Sequence, residues 1–202
     1  MIVPAGDDAL TQAAGVLRAG GLVIIPTDTV YGIAVDATVA GAADALFAAK
    51  GRPRSVPIAV LVSDEEAAWA VAASPVPSEA RRLAARWWPG ALTLIVHRGG
   101  DWPADLGDDG GTVGLRCPDD AWARALCRAT GPLATTSANL HGAPTAAEPA
   151  ELAAQFEGVV AVVVDGGRRE GRASSVVDCT EVPPRLVREG ALGPRDLWTR
   201  AD

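Results

Sequence analysis

Residues 22–25 (Leu-Val-Ile-Ile) and 33–35 (Ile-Ala-Val) are short apolar runs separated by only seven residues, Pro26-Thr27-Asp28-Thr29-Val30-Tyr31-Gly32. Runs of this length, rich in β-branched residues and bounded by proline and glycine, read as buried strands. Neighbouring parallel strands need a crossover of a dozen or more residues, and this connection is too short for one. Further strand-like runs lie at 58–62, 92–96, 112–115, 133–135, 159–164, 175–178 and 185–187. Helical patterns lie between them at about 7–18, 39–49 and 64–73, from Ser78 onward, and at 119–129 and 148–156. Strands alternate with helices, yet several connections are too short for helical crossovers. This predicts an α/β domain on an open, twisted sheet that mixes parallel and antiparallel pairs, with flanking helices. No repeat or interdomain linker is visible, so residues 1–202 read as one domain. Asp7 or Asp8, Thr38 and the capping box Ser63-Asp64-Glu65-Glu66 are the expected helix starts. The Gly- and Asp-rich stretch 99–111 reads as a mobile surface loop.

Composition excludes several classes. Apolar residues make up 49% of the chain, which fits a globular protein and not a disordered one. The longest apolar run, 159–164, is far too short to span a bilayer, and the N-terminus has no basic segment followed by an apolar one, so neither membrane insertion nor secretion is expected. Cys117, Cys127 and Cys179 are odd in number and lack C-x-x-C spacing, which argues against a disulfide framework and fits a reducing cytoplasm. Two histidines, His97 and His141, cannot build a His-rich metal cluster, and no metal site is expected. No G-x-x-x-x-G-K-[ST] is present, and no G-x-G-x-x-G follows the first strand. The net charge of −7 counts against binding driven by nucleic-acid phosphates. The clusters Arg81, Arg82, Arg86 and Arg168, Arg169, Arg172 read first as solvated surface.

The chain holds one lysine against seventeen arginines, one tyrosine and one asparagine: Lys50, Tyr31 and Asn139. Each falls in a polar constellation. Lys50-Gly51-Arg52-Pro53 puts a point charge and a planar fork on a stiff loop, which suits a polyphosphate or else a basic helix C-terminus. Gly114-Leu115-Arg116-Cys117-Pro118 leaves Arg116 at a strand end, where it could clamp a carboxylate or pair with Asp119 or Asp120. Thr135-Thr136-Ser137-Ala138-Asn139 offers neutral hydrogen-bonding groups to a nucleotide or amino acid, or else makes a turn. Ser174-Ser175 and Arg188-Glu189-Gly190 could complete a phosphate site. The residues thus point to a small anionic, phosphorylated ligand and leave the reaction open.

Six segments, Pro26 to Gly32, Lys50-Gly51-Arg52-Pro53, Trp88-Pro89-Gly90-Ala91-Leu92-Thr93, Gly114 to Pro118, Thr136-Ser137-Ala138-Asn139 and Arg188-Glu189-Gly190, stand in the order seen in YrdC-like threonylcarbamoyl-AMP synthases, which the chain resembles up to Gly190. The resemblance implies an open, twisted α/β sheet around a large cationic cavity. It implies a nucleotidyltransferase that converts L-threonine, bicarbonate (or CO2) and ATP to threonylcarbamoyl-AMP and pyrophosphate. Downstream tRNA threonylcarbamoyl-transferase proteins would use the product to modify adenosine beside the anticodon, and a weak tRNA contact of the synthase itself is part of that expectation. Lys50 and Arg52 would be the catalytic cations on the ATP phosphates, with Ser137, Asn139, Ser175 and Arg188 also on the nucleotide. Thr29, Tyr31, Thr136 and Arg116 would face the threonine. Mg2+ would be held mainly by the phosphates. Many relatives carry a histidine where this chain has Leu61, and longer relatives carry an additional C-terminal domain, so this is read as the short form. An RNA-binding or ribosome-maturation module using the same cavity is the alternative, with a carbamoyl-adenylate domain of the hydrogenase-maturation type as a third.

Overall fold

The computed structural model describes residues 1–100, 102, 105–107 and 111–198. In chain order the elements are β1 (Ile2–Pro4), α1 (Asp7–Arg18), β2 (Val23–Ile25), β3 (Gly32–Asp36), α2 (Ala42–Lys50), β4 (Ala59–Leu61), α3 (Glu65–Val71), α4 (Ser78–Trp87), β5 (Leu92–His97), β6 (Thr112–Arg116), α5 (Ala121–Thr130), β7 (Leu133–Ser137), α6 (Pro149–Gln155), β8 (Val162–Asp165), β9 (Ser175–Asp178), β10 (Arg185–Arg188) and α7 (Pro194–Trp198). The strands form one sheet in the order β1-β8-β2-β3-β7-β4-β6-β5-β9-β10. The short connection makes β2 and β3 antiparallel, while β1–β8, β2–β8, β4–β6 and β5–β9 are parallel. The sheet is therefore mixed, as the spacing of the runs requires. β1 and α7 were not expected, because three and five residues are too few to display a period. Among the described residues no helix is long and apolar enough to cross a membrane.

Helix ends depart from expectation where a glycine or a neighbouring side chain takes over. α1 begins after Gly6 with no side-chain cap, and Asp7 and Asp8 lie inside its first turn, where acidic groups complement the helix dipole. α2 begins after Gly41, which adopts a left-handed conformation, and Thr38 instead bonds Asp36 through both its hydroxyl and its N–H. Asp64, not Ser63, caps α3 by accepting from Ala67 N. Part of the expected mobile loop, residues 101, 103, 104 and 108–110, lies outside the described residues. Within the rest of it, Leu106 is buried and its carbonyl accepts from Ile58 N.

Side chains alternate between the two faces of a strand, so register decides what each residue meets. One face carries Ile24, Ile33, Val35, Val60, Val62, Leu92, Leu94, Val96, Leu115 and Val177, and packs against α2, α3, α4 and α6 through Leu46, Phe47, Val71, Leu83 and Leu152. Each such side chain contributes roughly 1.5–3 kcal/mol when fully buried. The other face divides in two. Over β8, β2 and β3 it presents Val162, Val164, Val23, Ile25 and Ala34 to Ala9, Ala13 and Leu17 of α1 and to Leu126 of α5. Over β7, β4, β6, β5 and β9 its residues change to Thr135, Ala59, Gly114, Thr112, Thr93 and Arg116, and a cavity lies there.

Register also settles Ser175, expected on a nucleotide. It stands opposite Leu92, so it faces the apolar layer, and it is fully buried. Its Oγ accepts from Gly190 N (2.9 Å) and Leu192 N (3.0 Å) and donates to Leu192 O (2.6 Å). Its hydroxyl is used up inside the fold, and Ser174, one residue earlier, lines the cavity instead. Ser175→Ala strands two N–H groups and one carbonyl, and is expected to lower unfolding free energy by about 1–3 kcal/mol in urea titration while sparing ligand affinity of the folded fraction. An affinity loss without a stability loss would refute this structural role.

Candidate active site

The cavity has a volume of about 260 Å³ and collects residues from segments far apart in sequence. Thr27, Thr29 and Tyr31 come from the β2–β3 turn, Arg52 from the loop after α2, Arg116 from the end of β6, Thr135, Thr136 and Ser137 from β7, Ser174 from the approach to β9, and Arg188 from the end of β10. Arg98 and Thr93, which the motifs had not singled out as ligands, also line it. No aspartate or glutamate is among the described lining residues.

Arg116 is almost fully buried, and three of its N–H donors are engaged. Nε donates to Gly90 O (3.0 Å), Nη1 to Thr29 Oγ1 (3.0 Å) and Nη2 to Asp28 Oδ1 (2.7 Å). The ion-pair partner is thus Asp28 of the opening turn and not Asp119 or Asp120, whose nearness in sequence had favoured them. Asp28 Oδ1 also accepts from Asp119 N at 3.0 Å. A guanidinium has five N–H donors, so one remains on each Nη for a ligand. Burial lowers the pKa of Arg116, Asp28 opposes the shift, and Arg188 adds to it.

Arg188 reaches the cavity through a β-bulge. Leu186 stands opposite Val177, but Arg188 stands opposite Val176, with Val187 as the additional residue. Unbroken pairing would have set Arg188 against Ser175 and turned it toward the apolar layer. Its Nη2 donates to Ser174 O at 2.8 Å and its Nε to the same oxygen at 3.2 Å. Arg52 donates through Nε to Val56 O and through Nη2 to Pro57 O. Burial lowers the pKa of Arg52, and Arg188 lowers it further. Arg188 is therefore close enough to repel both Arg52 and Arg116, and an anion would relieve all three.

Lys50 and Asn139 do not line the cavity. Left-handed Gly51 ends α2 and leaves Lys50 only 2% exposed behind the wall. Its Nζ donates to Ser137 O (2.5 Å), Asn139 O (2.5 Å) and Asn139 Oδ1 (3.2 Å). Asn139 Nδ2 donates to Leu140 O and Ala143 O, and Ser137 Oγ donates to Asn139 Oδ1. The single lysine and the single asparagine therefore build the turn that carries Ser137. Burial, helped by Arg52, lowers the Lys50 pKa to about 8.

The single tyrosine is buried, and its hydroxyl donates to Gly167 O and accepts from Gly166 N. Gly171 N donates to Thr29 O, and Arg169 Nε donates to Thr27 O. A Cβ on Gly171 would lie 2.4 Å from Thr29 O, so this approach needs glycine. The 166–171 segment thus lies against the opening turn. Burial pushes Cys117 up to about 11 and Cys127 and Cys179 up to about 12, so none supplies a thiolate near neutral pH.

Comparison with known proteins agrees with this architecture. A protein of Mycobacterium tuberculosis (strain H37Rv) is 42% identical over 184 residues, covering 91% of this chain and 84% of the relative. The threonylcarbamoyl-AMP synthase of Bacillus subtilis is 38% identical over 189 residues, covering 92% of this chain and 54% of its own. The crystal structure of Pyrococcus abyssi Sua5 complexed with L-threonine superposes with a TM-score of 0.87 at 36% identity, over 94% of this chain and 57% of that one. The chain thus spans a little over half the length of the latter two proteins. The Sua5/YciO/YrdC family model, described as telomere recombination, matches residues 15–190. By sequence and by fold, the chain belongs to the Sua5/YciO/YrdC family.

Proposed function

We propose that this protein is an L-threonylcarbamoyladenylate synthase that joins L-threonine, bicarbonate or CO2 and ATP into threonylcarbamoyl-AMP, releasing pyrophosphate. The observation that carries this reading is the meeting of Arg52, Arg116 and Arg188 in one cavity whose described lining contains no carboxylate. Such a site is matched to a ligand bearing several negative charges, and relatives named for this activity share most of the chain. Arg116, with a free N–H on each Nη beside Thr29, binds the threonine carboxylate. Arg52 and Arg188 hold the triphosphate, with Ser137 and Ser174 beside it. Tyr31 shapes the wall of the amino-acid side, whereas Thr136, opposite Ile33, turns its side chain toward the apolar layer.

The threonine amine attacks CO2 and loses a proton to give the carbamate. A carbamate oxygen then attacks the α-phosphate, and pyrophosphate leaves. No side-chain nucleophile is required, so the protein contributes positioning and fixed positive charge. Lys50 acts from the second layer by holding the Ser137 turn and adding its charge there. Among the described residues no group of three or more His, Cys, Asp or Glu could hold a metal ion, so Mg2+ would arrive with the triphosphate and keep water ligands. The product is a mixed anhydride suited to a cytoplasmic acceptor such as the adenosine of a tRNA.

The direct test incubates the protein with ATP, L-threonine and bicarbonate and follows pyrophosphate. Release that requires all three is expected, and its absence would overturn the reading. Arg116→Lys should raise KM for threonine about tenfold or more, the loss of a charge-assisted hydrogen bond of about 1.5–3 kcal/mol, with KM for ATP little changed. Arg188→Ala should do the reverse and also lower kcat.

Lys50 gives a pH signature. In the free protein it loses its proton near pH 8, because burial favours the neutral amine. A bound triphosphate favours the ammonium, so ATP binding should take up a proton above pH 8 and ATP affinity should fall as pH rises through that range. Calorimetry in buffers of different ionisation enthalpy measures the uptake, and Lys50→Met should abolish it.

A further inference from the structure

We propose that Thr27 is a positioning residue that sets the direction of the Thr29 hydroxyl, so that Thr29 offers the substrate a lone pair and recognises its amine N–H. The proposal rests on the amino-acid site assigned above. It follows from counting hydrogens. A threonine hydroxyl has one hydrogen and two lone pairs. Thr27 Oγ1 donates its hydrogen to Val30 O at 2.6 Å, a separation at which two oxygens without a hydrogen between them would repel. It accepts the Thr29 N–H at 3.2 Å. Its remaining neighbour is Thr29 Oγ1 at 3.1 Å, and since the Thr27 hydrogen is spent, Thr29 must be the donor of that bond. Thr27 is then saturated and offers a ligand nothing, although it lines the cavity.

Thr29 Oγ1 has now spent its hydrogen on Thr27, and one of its lone pairs accepts from Arg116 Nη1 at 3.0 Å. One lone pair remains. Thr29 is therefore an acceptor toward the cavity, beside the donor pair left on Arg116. An acceptor next to a carboxylate-binding guanidinium matches the two ends of an α-amino acid: carboxylate to Arg116, amine N–H to Thr29. A free hydroxyl at this place could instead rotate and donate to the carboxylate, which would blur the distinction between an amino acid and a hydroxy acid. Both threonines are nearly fully buried.

The test is a double-mutant cycle on the full chain, read by steady-state kinetics and by calorimetric binding of L-threonine. Thr27→Val removes the hydroxyl at nearly constant volume. It is expected to raise KM for threonine about tenfold, to leave KM for ATP within about twofold, and to weaken discrimination against the α-hydroxy analogue of threonine. Thr27→Ser should stay close to wild type. Because Thr27 acts through Thr29, Thr27→Val combined with Thr29→Val should be no worse than Thr29→Val alone. Additive losses, an equal rise in KM for ATP, or a Thr27→Ser variant as impaired as Thr27→Val would each overturn the proposal. If Thr27→Val does not fold, Thr27→Ala carries the same comparison with less demand on packing. A wild-type protein that does not bind L-threonine overturns the assigned function, whereas a wild type that binds and a Thr27→Val variant that behaves like it overturn this inference alone.

Discussion

Two cations of this protein, Arg116 and Lys50, are held where charge is expensive to bury, and the rest of the site is arranged around that constraint. Arg116 and Lys50 are almost wholly withdrawn from solvent. An unpaired buried charge costs several kcal/mol after relaxation, so each must be given partners. Arg116 receives one carboxylate, one carbonyl and one hydroxyl. Lys50 receives three oxygens of the turn it supports. Burial lowers the pKa of both groups. Arg188 adds repulsion toward Arg52 and Arg116. Arg52, Arg98, Arg116 and Arg188 thus line a cavity with no carboxylate among its described lining residues.

Placing Arg116 and Arg188 on the cavity side is the work of the sheet. Its two faces differ in chemistry because side chains alternate, and a shift of one residue reverses the assignment. The helix-covered parts carry valine, leucine and isoleucine. The cavity part uses threonine, glycine and alanine, which leave room above the strands. Two neighbouring serines show how sharp the division is: Ser174 lines the cavity, whereas Ser175 ties the turn that follows β10. The bulge at Val187 moves Arg188 from the apolar face to the cavity face, at the end of the sheet where such irregularities disturb the fewest neighbours.

Much of this was legible in the chain. The seven-residue connection required an antiparallel pair, and the spacing of the runs indicated a mixed sheet. The singular Lys50, Tyr31 and Asn139 lie at or beside the cavity, and of the three Tyr31 lines it. All three brace backbone near the cavity, through the turn at Ser137 to Ala143 for two of them and through the 166–167 segment for Tyr31. Asp28 gave little sign of its partner, since the carboxylates nearest Arg116 in sequence were Asp119 and Asp120. Ser174 was named only together with Ser175, and Thr93 and Arg98 were not named as ligands, because sequence alone does not tell which of two neighbouring polar residues faces a void.

The sequence by itself determined the alternation of elements, the mixed sheet and the order of the motifs, because these depend on local periodicity and spacing. The tertiary structure decided which cations reach the cavity, which stand behind it, and which groups surround the Thr29 hydroxyl. Those outcomes depend on register, on one bulge and on contacts shared among Thr27, Thr29, Val30 and Arg116. Arg116 lies 87 residues from Thr29, so that contact exists only once the chain has folded.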